Sequence, residues 1–98
     1  MFIILLRFGA NKAAAGNHME GHKAWLQQGF KDGVFALAGS LQPSAGGGIV
    51  AHNISRPDLE AYVSKDPFVA EGVVEPEIIE ITPAMTDSRL AFLKGEAA

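Results

Sequence analysis

The order of hydrophobic patterns along the chain constrains its fold more than any single motif does. Residues 2–8 form a nearly continuous apolar run that ends at Gly9 and Asn11, which is typical of a buried β-strand. From about residue 13 to residue 31 the period changes, and the apolar side chains recur on one face of a helical wheel. Gly33, in "KDG", is predicted to stop this helix. The chain therefore begins with a strand and an amphipathic helix.

The rest of the chain repeats such units. Ser55 or Arg56 marks the start of a second helix, because Pro57 suits a first helical turn and Asp58 favours the positive end of the helix dipole. Pro76 indicates that the last strand starts near an edge or a bulge. The elements predicted after residue 33 are a strand over 34–41, a loop over 42–48, a strand over 49–54, a helix over 55–67, a strand over 73–82 and a short C-terminal helix over 86–95, capped by Thr86 or Asp87.

The order β-α-β-β-α-β is that of the ferredoxin-like split βαβ fold. This is an α+β architecture in which both helices cover one face of a four-stranded antiparallel sheet. The other face is bare in a single chain, and the predicted strands carry Ile, Leu and Phe on both faces. The simplest cover is the same sheet of a second copy. We therefore expect a homodimer, or a higher homo-oligomer, of the dimeric α+β barrel type.

Length and composition limit the function classes. The 98 residues suffice for one domain but leave little room for a deep private cleft. The 8 basic and 11 acidic residues give a net charge of −3 with no run of Lys or Arg, so no nucleic acid partner is expected. The absence of cysteine makes the cytosol the expected compartment. Residues 1–6 are apolar but too few to span a membrane and lack signal-peptide flanks, so no membrane partner is expected.

The stretch "NHMEGHKAWL" looks like a zinc-protease helix, but its spacing does not fit. The motif H-E-x-x-H needs the glutamate directly after the first histidine. Glu20 instead lies about 200° from His18 and about 160° from His22 around a helix, so it points away from any site that the two histidines share. Because no carboxylate lies on their face, metal binding by His18 and His22 is the least favoured interpretation, and we expect no metal.

Two side chains could each have either a catalytic role or an ordinary structural one. His22 falls in the apolar arc of the first helix, where it is either a histidine at the core edge bonded to a carbonyl or a functional base. Asp66 precedes Pro67, which biases it away from the helical region and frees its side chain to accept N–H groups, as turn aspartates commonly do.

A resemblance to a known family adds to these two readings. It rests on His22 with Leu26, Asp32 and Gly33, "AGSL" at 38–41, Gly48 and, most specifically, "DPFVAEGVVEP" at 66–76. The chain resembles the YciI-like (YCII-related) family from the first strand to about Pro83, within one domain of residues 1–98 whose tail covers 84–98. The resemblance implies a His–Asp pair in a small pocket, with the roles on His22 and Asp66.

The chain also departs from the family pattern. Met19 stands where such proteins usually have an arginine, three residues before the histidine, which leaves Arg7 or His18 as the candidate cation for a substrate. Ser40 adds a hydroxyl that could bind a substrate. We expect Trp25 and Phe68 to form apolar walls, because they follow His22 and Asp66 by one helical turn and by two residues.

Two functions remain open at this point. One is a small cofactor-free enzyme in which His22 and Asp66 assist proton transfer, elimination or isomerisation on a small cyclic or carbonyl compound, since the fold is shared with muconolactone-isomerase-like and dehydrochlorinase-like proteins. The other is a non-catalytic module that binds a small ligand or accompanies an enzyme. Nothing in the sequence resembles a phosphate loop, a dinucleotide fingerprint or a flavin site, so no cofactor is expected.

Overall fold

A computed structural model of the chain describes residues 1–95. Its four strands are β1 (Phe2–Phe8), β2 (Phe35–Leu41), β3 (Gly46–Ala51) and β4 (Val74–Glu80). They form one sheet in the order β2-β3-β1-β4, and every neighbouring pair is antiparallel. This is the ferredoxin-like α+β arrangement that the sequence predicts. Pro76 lies on the edge strand β4, where a missing N–H costs least.

The helices pack on one face of this sheet. They are α1 (Ala15–Lys31), preceded by a short 3₁₀ turn, then α2 (Arg56–Ser64) and α3 (Pro67–Ala70). A C-terminal 3₁₀ helix (Ser88–Lys94) lies on the opposite face. Ser55 caps α2 as predicted, because its side chain accepts the N–H of Asp58. No helix in the described residues is both long and apolar enough to cross a bilayer.

The core lies between the helices and one face of the sheet, called here the helix face. Along β1, Phe2, Ile4 and Leu6 are buried against the helices, whereas Arg7 points to the opposite, outer face. Gly29 lets α1 approach β2 closely, since a Cβ there would come within 2.1 Å of the Phe35 ring.

Several predicted boundaries were wrong, among them the end of the third strand, which is Ala51 rather than residue 54. Strand β3 begins at Gly46 rather than at residue 49, because residues 46–48 pair by backbone with β1 and β2 and need no side chains to do so. Helix α2 ends at Ser64, since Asp66 and Pro67 start a new helix rather than continue the old one. The predicted C-terminal helix is present as a 3₁₀ helix, and Asp87 is its N-cap.

The C-terminal segment, residues 82–94, covers one end of the outer face. Leu93 is buried there, whereas Leu90 stays 45% exposed. A cavity of about 560 Å³ lies between this segment and the sheet, and sheet residues such as Leu37 and Val50 line it. The rest of the outer face keeps exposed apolar side chains such as Ile79.

Candidate active site

The structure brings His22 and Asp66 together. His22 lies on α1 with its side chain 14% exposed, and its Nδ1 is 2.8 Å from Oδ1 of Asp66, which is completely buried. Because a carboxylate oxygen accepts, His22 donates through Nδ1, and Nε2 is the ring nitrogen that takes no part in this hydrogen bond. His22 also lines a cavity, so the geometry suits an imidazole that takes a proton from a bound molecule.

The local sequence holds Asp66 in place. Asp66 is the N-cap of α3, and the same Oδ1 that faces His22 accepts the backbone N–H of Phe68 at 3.0 Å. Pro67 occupies the first turn of this helix, where its missing N–H is tolerated. The "DPF" sequence thus fixes both the position and the direction of the carboxylate.

Gly21, directly before His22, faces Pro67, directly after Asp66. A Cβ at Gly21 would lie 3.0 Å from Cγ of Pro67, which is tighter than ordinary van der Waals contact. The missing side chain lets α3 pack directly against α1, and this contact lies beside the hydrogen bond between His22 and Asp66.

The other carboxylate oxygen of Asp66 is unusual. Oδ2 is buried and has no hydrogen-bond partner among residues 1–95. Leaving a buried polar group unsatisfied costs about 1–3 kcal/mol, so such a group calls for an explanation other than stability. A role in holding His22 would supply one.

Phe68 and Trp25, the predicted walls, have different positions. The Phe68 ring stacks on His22, with centroids 4.0 Å apart and an angle of 4° between the planes, and it lines the cavity. The Trp25 ring does not reach the cavity. It packs edge-on against Phe35 and donates its indole N–H to the carbonyl of Tyr62, so the prediction that Trp25 forms a wall was wrong.

The contacts of Trp25 belong to a support behind the site. Tyr62 of α2 donates its hydroxyl to Asp32 at the C-terminal end of α1. Burial, and then this hydrogen bond and the charge of Asp32, raise the pKa of Tyr62 to about 12. The phenol therefore stays protonated and ties the two helices together.

The cavity next to His22 measures about 350 Å³, near the lower end of the ~300–1,000 Å³ typical of small-molecule sites. It lies between α1 and the helix face of the sheet. Its lining residues are Leu6, Phe8, Met19, His22, Lys23, Leu26, Ala38, Gly39, Ser40, Gly46, Gly47, Gly48, Ile49, Phe68 and Val74. Much of the space exists because β3 offers glycines there: a Cβ at Gly47 would meet only a carbonyl oxygen, at 3.5 Å.

The remaining predicted site residues divide between two places. Ser40 lines the cavity as expected. Arg7 lies on the outer face, where it forms an ion pair with Glu77, and His18 is not part of the cavity wall. The structure therefore brings neither candidate cation to the cavity.

Lys23 lines the cavity, and the sequence interpretation missed it. The helical wheel puts Lys23 on the polar arc of α1, which suggests plain solvent exposure. Its position directly after His22 is the one signal that could have identified it.

Among residues 1–95, no group of three or more His, Asp or Glu side chains is arranged to hold a metal ion.

Comparison with known proteins gives a fold relative and a family. No curated protein sequence matches the chain at a significant level. A solved structure of 5-chloro-2-hydroxyhydroquinone dehydrochlorinase from Burkholderia phenoliruptrix AC1100, in complex with 2,5-dihydroxybenzoquinone, is similar with a TM-score of 0.66 and 14% sequence identity. The match covers 83% of this chain and 93% of that one, and at this identity it shows the fold alone. The model of the YCII-related domain matches residues 1–83, and the chain therefore belongs to the YCII-related family.

Proposed function

We propose that the chain is a small cofactor-free enzyme that moves a proton on a small cyclic or carbonyl compound. The observation that carries this proposal is the His22–Asp66 pair at the wall of an apolar cavity. His22 is the base and touches the substrate, whereas Asp66 orients the imidazole and stabilises the imidazolium that forms. Phe68, stacked on the ring, keeps water from that side of it.

The proposed reaction begins at Nε2 of His22, which takes a proton from a carbon next to a carbonyl. The electron pair of the C–H bond forms a C=C bond, and negative charge passes to the oxygen. In an isomerisation the imidazolium returns the proton to another carbon. In an elimination the electron pair expels a leaving group from the neighbouring carbon, and the imidazolium then releases its proton to water.

The similar structure supports the elimination variant. That protein is named as a dehydrochlorinase, and its structure holds a dihydroxybenzoquinone. Loss of HCl from a ring needs one base and one leaving group, which suits a single His–Asp pair. Hydroxylated six-membered rings are therefore the first compounds to test.

Two assays test the proposal. One follows deuterium uptake at the α-carbons of cyclohexanone in heavy water by proton NMR, and the other follows chloride release from 5-chloro-2-hydroxyhydroquinone. We expect the wild type to accelerate at least one reaction and His22→Gln to lose about 10²-fold or more of that rate. His52→Gln, which changes a histidine of the outer face, is the control and should keep it.

The alternative function, a module that binds a small ligand without turnover, predicts a different result. His22→Gln would then leave both rates at the background value of the wild type, while small rings still bind in the cavity. That outcome would reject the enzyme.

The proposal includes a homodimer, in the cytosol, joined through the outer face. The exposed apolar side chains there, among them Ile79 and Leu37, would be covered by the same face of a second copy. Light scattering should give about twice the 10.4 kDa of one chain, and Ile79→Glu should halve it. A wild-type mass of one chain at micromolar concentration would reject the dimer.

A further inference from the structure

The polar groups that line the helix-face cavity are few and carry a definite sign. Of the side chains in the wall, only His22, Lys23 and Ser40 are polar, and none is a carboxylate. The chain as a whole has a net charge of −3, so this wall differs from the average surface. A pocket with apolar walls and one permanent positive charge binds anionic ligands more tightly than neutral ligands of the same shape.

Lys23 is a charged side chain at the cavity that has no ion-pair partner among the described residues. It is exposed to solvent and also lines the cavity. Among the described residues the ion pairs use Arg7, His22, Arg56 and Arg89, and no carboxylate pairs with Lys23. Its charge is therefore not neutralised by a neighbour. Asp66, the nearest buried acid to the site, is held by His22 and Phe68.

We propose that Lys23 makes the cavity selective for an anion, namely a small molecule with one apolar ring and one acidic group, either a carboxylate or an ionised phenol or enol. This rests on the proposed function, because it specifies the substrate class of the same site. The ring contacts Met19, Leu26 and Phe68, and the acidic oxygen faces the ammonium of Lys23. A lysine ammonium is a flexible point charge without the fixed fork of arginine, so it can serve either kind of acidic oxygen.

The test uses two probes of nearly equal shape, benzoate and its neutral analogue benzamide, followed by amide NMR titration at low salt. We expect the wild type to bind benzoate about fivefold or more tightly than benzamide, as for a unit charge pair about 4 Å apart in water. Lys23→Gln should remove this preference and Lys23→Arg should retain it. Added salt should weaken it, because solvent screens an exposed pair.

Three further variants keep the result specific. Lys31→Gln, on the same helix but outside the cavity wall, should behave as the wild type. Lys12→Gln tests the other lysine near the cavity, because the ammonium of Lys12 lies 4.5 Å from the ring centre of the cavity residue Phe8. This variant should keep the preference for benzoate. Gly47→Val should abolish binding of both probes, because it adds a side chain in the cavity at a position where the nearest neighbour, the carbonyl oxygen of Gly39, lies at an ordinary contact distance of 3.5 Å.

The outcomes separate this inference from the proposed function. Equal binding of both probes, no binding of benzoate by the wild type, or a preference that persists in Lys23→Gln or is lost in Lys12→Gln would overturn it. A preference that depends on Lys23, in a protein whose His22→Gln variant shows no loss of rate, would support the inference and reject the enzyme.

Discussion

The two faces of the sheet each carry an apolar cavity and a histidine, and the two histidines are held differently. On the helix face, His22 donates to a buried carboxylate and lines a cavity of about 350 Å³. On the outer face, His52 lies edge-on to Phe92 beside a cavity of about 560 Å³, and its buried Nδ1 has no partner among residues 1–95. Neither a cavity nor a histidine therefore distinguishes a site here. The carboxylate does.

The charge state of His52 follows from its surroundings. Burial, and then the positive N-terminal amine, lower the pKa of His52 below its usual value of 6.5. His52 is therefore neutral at pH 7, and its ring packs against Phe92 on the outer face. On the helix face, His22 instead donates a hydrogen bond to the buried carboxylate of Asp66.

The largest expected effect comes from removing that carboxylate. Asp66→Asn should lower the rate of the reaction that the wild type catalyses by about 10²-fold or more, because the imidazolium loses its stabilising charge. Asparagine is as good an N-cap as aspartate, and its amide oxygen can still accept the N–H of Phe68, so the fold should persist. The rate and the circular dichroism spectrum check the two statements. An unchanged rate would remove the difference between the two histidines.

The next largest effect comes from a substitution on the outer face, which should lower the free energy of unfolding without changing the catalytic rate. Leu93→Ala should lower the free energy of unfolding by about 2 kcal/mol, the low end for a truncated leucine, because Leu93 is buried by a single short segment. Urea unfolding measures this, and Leu90→Ala, at a half-exposed position, is the matched control. A fall in the catalytic rate of Leu93→Ala would show that the two faces are coupled.

The same contrast separates what the sequence predicts from what it does not. Periodicity predicts the order of strands and helices, because each buried face must repeat every 2 or 3.6 residues. The glycines at 46–48 have no side chains and so no period, and their place in β3 is fixed only by the strands on either side. The pairing of His22 with Asp66, 44 residues apart, came from the family resemblance.

Two residues of the first helix show the limit of the helical wheel. Trp25 shares the arc of His22 but lies one turn further along α1, where Phe35 and Tyr62 occupy the space that a cavity would need. Lys23 lies on the polar arc, yet the small residues of β3 leave a space that this arc borders. A wheel tells which side of a helix faces a sheet, whereas the extent of the facing sheet requires the packed structure.

A smaller effect tests the outer histidine by pH. Because the folded pKa of His52 is lowered, the unfolded chain binds the proton first as the pH falls. The contribution of neutral His52 to stability is complete above the unfolded value of 6.5 and is lost as the pH falls below it, towards the folded pKa. The urea midpoint of the wild type should therefore fall more steeply below pH 6.5 than that of His52→Gln. Parallel curves would contradict this assignment.

The smallest effect separates function from stability within one helix. Gly21→Ala and Gly16→Ala each add a methyl group to α1, and alanine stabilises an exposed helical position by up to about 1 kcal/mol relative to glycine. At Gly16 the methyl group meets nothing within 4 Å, whereas at Gly21 it lies 3.0 Å from Pro67, so α3 must move away by a few tenths of an ångström. We expect that shift to lengthen the hydrogen bond between His22 and Asp66, which measures 2.8 Å in the wild type. We expect Gly16→Ala to keep the wild-type rate and the rate of Gly21→Ala to fall severalfold, because a small misplacement of catalytic groups is costly. The free energy of unfolding of either variant should lie no more than about 1 kcal/mol below that of the wild type. Equal rates for the two variants would mean that the close approach of the two helices does not set the geometry of the pair.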